Sequence, residues 1–146
     1  MRNSCILVLL VAFSFASTAR GETNGFTPPP IEIPEGYTLE IAAAPPLVKY
    51  PMLACFDDRG RLFIAESDGQ NPTSKEEILQ NPSRFIRLLE DTDDDGTFDK
   101  STIFADKMTM PEGGVWLDGA LYVISPPYLW RLEDTDDDGV ADKREK

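Results

Sequence analysis

Apolar and polar residues alternate with a period of two in one stretch and gather into short apolar runs in others, and no stretch of helical length repeats with a period of 3.6. Residues 37–43, YTLEIAA, set Tyr37, Leu39 and Ile41 against Thr38, Glu40 and Ala42, the pattern of a half-buried strand, and PPLVKYP then breaks it. Two apolar runs follow in MLACFDDRGRLFIAE. The link between them, Asp57-Asp58-Arg59-Gly60, predicts a hairpin. GGVWLDGALYVIS reads in the same way, turning at Asp118-Gly119. FIRLLE and YLWRLE predict a third strand in each unit, and STIFAD a fourth strand in the first.

These elements repeat. Placing Gly60 on Gly119 superimposes Leu62 on Leu121, Phe63 on Tyr122 and Ile64 on Val123, an offset of 59. LEDTDDDGTFDK at 89–100 returns as LEDTDDDGVADK at 132–143, an offset of 43. The first copy therefore holds 16 extra residues, within Glu66 to Arg84, a polar segment with two Asn-Pro pairs and room for a helical turn at 74–79. Four short strands recurring every 40–50 residues or so predict an all-β fold, a partial β-propeller of about two four-stranded blades with calcium-binding hairpin loops. Blade 1 spans about 51–107 and blade 2 about 111–146, where the chain stops short of the expected fourth strand. A propeller closes with at least about four blades, so residues 36–146 read as less than a whole domain. A β-sandwich built by duplication fits the same strand spacing.

The N-terminus changes the size of the folded part. MRNSCILVLLVAFSFASTAR has one basic residue, Arg2, an apolar and small run from Cys5 to Ala16, and a small-residue site for cleavage after Ala19. Residues 1–19 are expected to be a signal peptide, with an uncut N-terminal anchor as the alternative, and 20–35 a Pro-rich linker. The run is shorter than the roughly 20 apolar residues of a spanning helix, so the expected location is exported, periplasmic or secreted, with no stable membrane span after cleavage. Cleavage removes Cys5 and leaves Cys55 alone, so stability must come from packing or metal and not from an internal disulfide. Cys55, within PMLACFD, reads as a small buried hydrophobe. With 26 acidic residues against 14 basic ones and a formal net charge of −12, the chain repels nucleic acid and suits divalent cations.

The carboxylates are not spread evenly. Asp91, Asp93, Asp95 and Asp99 fall at positions 1, 3, 5 and 9 of a calcium loop, with Gly96 at the sharp turn and the Thr97 carbonyl pointing inward. Asp134, Asp136, Asp138 and Asp142 repeat this with Gly139 and the Val140 carbonyl, and Glu145 stands at position 12, where the first loop has Thr102. The second loop satisfies the EF-hand pattern, but the strand-like RFIRLL and YLWRL lead-ins do not supply its helices. Asp94 and Asp137, at position 4, are expected to face outward. A solvated acidic turn is the alternative reading, and its recurrence at every ligand position in two copies argues against it.

GYTLEIAAAPPLVKYPMLACFDDRGRLFIAES, RLLEDTDDDGTFDKSTIFADKM and GALYVISPPYLWRLEDTDDDGVADK, in this order, resemble the N-terminal propeller region of the membrane-bound dehydrogenase proteins of planctomycete-type bacteria, relatives of the glucose/sorbosone dehydrogenases. The resemblance covers about residues 33–143. It implies an exported propeller, pyrroloquinoline quinone (PQQ) as cofactor in a full-length protein, and a histidine base. In the family pattern position 4 of the acidic loop is usually glycine, where this chain has Asp94 and Asp137. The chain has no histidine and no C-x-x-C-H haem site. Calcium binding is therefore the activity expected of these residues, with no catalytic residue assigned. The alternatives are a non-catalytic carbohydrate- or protein-binding module displaying the 66–84 loop, and a small domain of calcium hairpins that closes by oligomerising. Glu66 and Asp68 read as solvated loop acids with a lesser claim to a site, Lys100 and Lys143 as local charge balance, and Trp116 and Trp130 as core packing.

Overall fold

The computed structural model describes residues 30–146. The signal sequence expected at 1–19 and most of the 20–35 linker lie outside them. Two antiparallel sheets carry the fold. β1 (Pro51–Phe56), β2 (Leu62–Glu66), β3 (Arg84–Glu90) and β4 (Lys100–Met108) form the first in sequence order, and β5 (Gly113–Leu117), β6 (Ala120–Ser125), β7 (Tyr128–Glu133) and β8 (Lys143–Glu145) form the second. The described residues are thus all-β but for α1 (Lys75–Gln80), a short helix in the inserted segment, where the Ser74 side chain accepts from the Glu77 N–H at 3.1 Å.

Two expectations are corrected. Residues 37–43 form no strand, because alternation marks the apolar side of an extended segment but cannot supply a neighbour to hydrogen-bond with. The second sheet does have a fourth strand. Lys143–Glu145 pairs with β7 through Leu132 opposite Arg144 and Glu133 opposite Lys143, although three charged residues carry no apolar pattern to announce it.

The register accounts for both repeat offsets. Leu62 lies opposite Leu89 in the first sheet, and their counterparts Leu121 and Leu132 lie opposite each other in the second. The faces, however, are used differently. Leu62, Ile64 and Leu89 turn away from the second sheet and pack with Val48 and Leu47, whereas Leu121 and Leu132 join the core shared by both sheets. The second sheet therefore presents to the first the very face that the first turns away, so the two stack head to tail. Phe63 anchors the seam, edge-on to Phe104 at 4.7 Å and stacked on Trp116 at 5.3 Å.

The entry to each sheet is fixed in an equivalent way. Glu66, at the end of β2, is 1% exposed and accepts from the Lys49 and Tyr50 N–H groups at 2.7 and 3.2 Å while pairing with the Arg87 guanidinium. Ser125, at the corresponding end of β6, accepts from the Thr109 and Met110 N–H groups, both at 3.1 Å. Glu66 is therefore no solvated loop acid. Its alternation with Leu62 and Ile64 puts it on the face covered by Leu47 and Val48, where only full hydrogen bonding makes a carboxylate tolerable.

Replacing Glu66 by Ala leaves the half-buried Arg87 guanidinium without its carboxylate and two N–H groups without their acceptor, and is expected to cost about 3–5 kcal/mol. Ser125→Ala removes neutral partners only, the acceptor of two N–H groups and the bond to the Thr109 hydroxyl at 2.8 Å, and is expected to cost about 1–3 kcal/mol. Urea unfolding of the two variants measures the difference, and equal losses would contradict the roles given to the two side chains.

Candidate metal centre

The β3–β4 and β7–β8 connections are acidic loops with matching internal hydrogen bonds. In the first, the Asp91 carboxylate accepts from the N–H groups of Asp95 (3.2 Å) and Gly96 (2.8 Å), and Asp95 accepts from the Thr97 N–H (2.8 Å). In the second, Asp134 accepts from Asp138 (3.2 Å) and Gly139 (2.9 Å), and Asp138 from the Val140 N–H (2.8 Å). Backbone donors thus hold the first and third carboxylates of each loop in place. Gly96 and Gly139 have φ of 90° and 89°, as the turn requires.

This wrapping gathers three carboxylates in each loop. Asp91, Asp93 and Asp95 offer oxygens within 4.8 Å of one another, as do Asp134, Asp136 and Asp138, close enough for one cation to touch all three. The crowding has an electrostatic signature. Asp95 pushes the Asp93 carboxyl above the usual aspartate range, and Asp138 does the same to Asp136.

The other expected ligands are placed differently. Asp99 accepts from the Thr92 N–H at 3.0 Å and hydroxyl at 2.6 Å, which holds its carboxyl below the usual range, and Asp142 is bound in the same way to Thr135. Both still lie near enough to add to the charge felt by Asp93 and Asp136. Glu145 sits on β8 opposite Arg131, 3.5 Å from its guanidinium, and is not gathered with the three aspartates. Thr92 and Thr135 were detectable in the sequence, since both copies read EDTDDDG.

The second loop is also docked on the first sheet. Ala141 is buried in the shared core, and its N–H donates to the Phe104 carbonyl at 2.7 Å. A Cβ on Gly139 would lie 3.5 Å from Thr102 and 3.7 Å from Leu88. Arg144 reaches across to the Asp106 carbonyl at 3.1 Å and carboxylate at 3.0 Å. On the other side Arg59 grips Asp137 in bidentate fashion, at 2.7 and 3.1 Å. Asp57 aims it, accepting from the N–H groups of Arg59 (2.9 Å) and Arg61 (2.8 Å) within the β1–β2 turn. Asp94 and Asp137 adopt φ of 59° and 62°, a left-handed conformation that glycine takes most readily.

Fold and site together define an all-β protein of two four-stranded antiparallel meanders, each carrying an acidic loop with a carboxylate trio. A family model described as "Domain of unknown function (DUF7133)" matches residues 29–146, and the chain belongs to this family. No curated protein and no solved structure matches it.

The Arg59 grip holds the Asp137 carboxyl below its ordinary value, so the unfolded chain takes up a proton first as the pH falls. The stabilisation by Arg59 is expected to be complete above the unfolded aspartate pKa of about 3.9 and to disappear as the pH falls through the lower folded value. The difference in urea midpoint between wild type and Arg59→Ala, followed against pH, tests this. A difference that persists into strong acid would overturn it.

Proposed function

We propose that the chain is a calcium-stabilised portion of an exported β-propeller, with one Ca²⁺ held in each acidic loop. The observation that carries the reading is the paired trio: two loops with matching backbone bonds each gather three carboxylates within 4.8 Å. Calcium takes about six to eight oxygens in flexible geometry, which suits three carboxylates that can bind through one or two oxygens, with water completing the shell. Magnesium demands a tighter octahedron and retains its waters, so it is the poorer fit. On this reading Asp91, Asp93 and Asp95 hold one ion and Asp134, Asp136 and Asp138 the other. Asp99 and Asp142 contribute through the field, or as ligands on leaving Thr92 and Thr135, and the Thr97 and Val140 carbonyls supply neutral oxygens.

The propeller half of the reading is supported by the stacking direction. A sandwich formed by two-fold duplication would bury the same face of both copies, whereas here equivalent residues Leu89 and Leu132 lie on opposite sides of their sheets relative to the seam. Head-to-tail stacking of meanders is how propeller blades succeed one another. The quinone and histidine implied by the resemblance to sugar dehydrogenases belong to the larger proteins of that family; the activity proposed for these residues is calcium binding.

Calorimetric titration of the chain with CaCl₂ is expected to show two sites, with Kd of about 10⁻⁴ to 10⁻³ M, as in extracellular calcium modules. Asp93→Asn and Asp136→Asn should each weaken one site roughly tenfold, equivalent to about 1.4 kcal/mol. Because their carboxyls titrate above the usual range, affinity should fall as the pH drops through that raised value and level off above it, where no proton remains to be displaced. Absence of binding heat, or variants indistinguishable from wild type, would refute calcium binding.

A further inference from the structure

Among the described residues every arginine but one is paired with a carboxylate. Arg59, Arg61, Arg87, Arg131 and Arg144 each meet an aspartate or glutamate at 3.0 Å or less. Arg84 meets none there, although at 6% exposure it is the most buried of them and the chain carries 26 acidic residues. A charge taken out of water is costly unless it is paired, so an uncompensated buried guanidinium calls for a partner.

The surroundings of Arg84 show which part of it is already committed. It opens β3 on the same side as Ile86 and Leu88 of the shared core, at the end of the strand opposite the acidic loop. Nη1 donates to the Thr109 carbonyl at 2.9 Å, in the link between the two sheets. That acceptor is neutral and leaves the charge standing. Nε is buried and has no acceptor among the described residues. Nε–H and Nη2–H are parallel, and this pair is the edge with which a guanidinium holds a carboxylate through two bonds. The Thr109 bond does not use it.

The neighbouring acid is engaged elsewhere. The Asp68 carboxyl is held below the usual aspartate range first by the Ser83 hydroxyl and then by the Gln70 N–H, which bonds it at 3.0 Å, with Arg84 adding a smaller pull from beyond ion-pair distance. The two ends of the inserted segment thus meet beside Arg84, and the helix between them, α1, buries none of its residues. Nor does the repeat require this arginine. With Leu89 placed on Leu132, Arg84 falls on Pro127 in the short β6–β7 turn, so the guanidinium arrives with the insertion.

We propose that Arg84 anchors a binding site for a small organic monocarboxylate, held side-on by Nε and Nη2 where the inserted segment enters β3. One guanidinium balances one negative charge. A carboxylate therefore fits, whereas a phosphate dianion exceeds that charge in a chain whose net charge of −12 already repels it. The site is independent of the calcium and propeller readings.

The test follows the Arg84 Nε–H resonance in the full chain labelled with the heavy nitrogen isotope, using acetate as the probe and chloride and phosphate at equal ionic strength as controls. Acetate is expected to move this resonance downfield and to saturate, with the controls leaving it in place. In urea, acetate should raise the midpoint of the wild type and not that of Arg84→Met, because only a site that binds the folded state is stabilised by its ligand. Without acetate, Arg84→Met should be at least as stable as the wild type, since it removes an unpaired charge and keeps most of the volume. A resonance that acetate does not move, or that chloride or phosphate moves as far, overturns the proposal. So does a clear loss of stability in acetate-free Arg84→Met, which would show the charge to be satisfied within the chain, or a resonance already downfield that returns in Asp68→Asn, which would make Asp68 the partner. Failure of the calcium reading would appear in the calcium titration and leave the acetate result intact.

Discussion

The seam between the two sheets governs the rest of the molecule, because one of its walls is an acidic loop. Phe63, Leu88 and Phe104 on the first sheet are covered by Leu121 and Leu132 from the second, and also by Ala141, which belongs to the loop itself. Burying apolar surface stabilises by about 25 cal/mol per Å². This contact therefore fixes the backbone of residues 134–142 where Asp134, Asp136, Asp137, Asp138 and Asp142 crowd together. The loop cannot relieve its repulsion by moving away without giving up the Ala141 contact and the hydrogen bond to Phe104. The protein resolves part of the conflict itself: Arg59 takes Asp137, Thr135 takes Asp142, and backbone N–H groups take Asp134 and Asp138. Asp136 is left to feel its neighbours, and its raised pKa records the remainder. On the proposed reading, a divalent cation at the trio would remove it.

The first loop shows the same internal arrangement with a different neighbour. Phe98 stands at the repeat position of Ala141 and packs beside Leu62, Ile64 and Leu89, on the side capped by Val48. Each acidic loop therefore lends one apolar residue to the cluster on the same relative side of its sheet. That correspondence joins the repeat, the stacking direction and the carboxylate trios in one construction. A loop shaped by its carboxylates places an apolar residue that helps set how a sheet meets what lies beside it.

Much of this was readable from residue patterns. Short apolar runs and the Asp-Asp-Arg-Gly and Asp-Gly turns located both hairpins, and the two identical EDTDDDG runs located the loops. Other features depend on three dimensions. Residues 37–43 have the pattern of a strand but no strand beside them, while Lys143–Glu145 lacks the pattern and is a strand because β7 offers its edge. Glu66 resembled a loop acid because Ser67, Asp68 and Gly69 follow it, yet the segment at Leu47 to Tyr50 folds over it and buries it. Arg59 looked like any turn residue, since its partner is 78 positions away.

Anomalous diffraction from crystals grown with calcium examines the central claim most directly. The account predicts one peak within each loop, bounded by Asp91, Asp93 and Asp95 in one and by Asp134, Asp136 and Asp138 in the other, with the sheet seam unchanged. Loops without peaks, or calcium bound only elsewhere on the acidic surface, would contradict it.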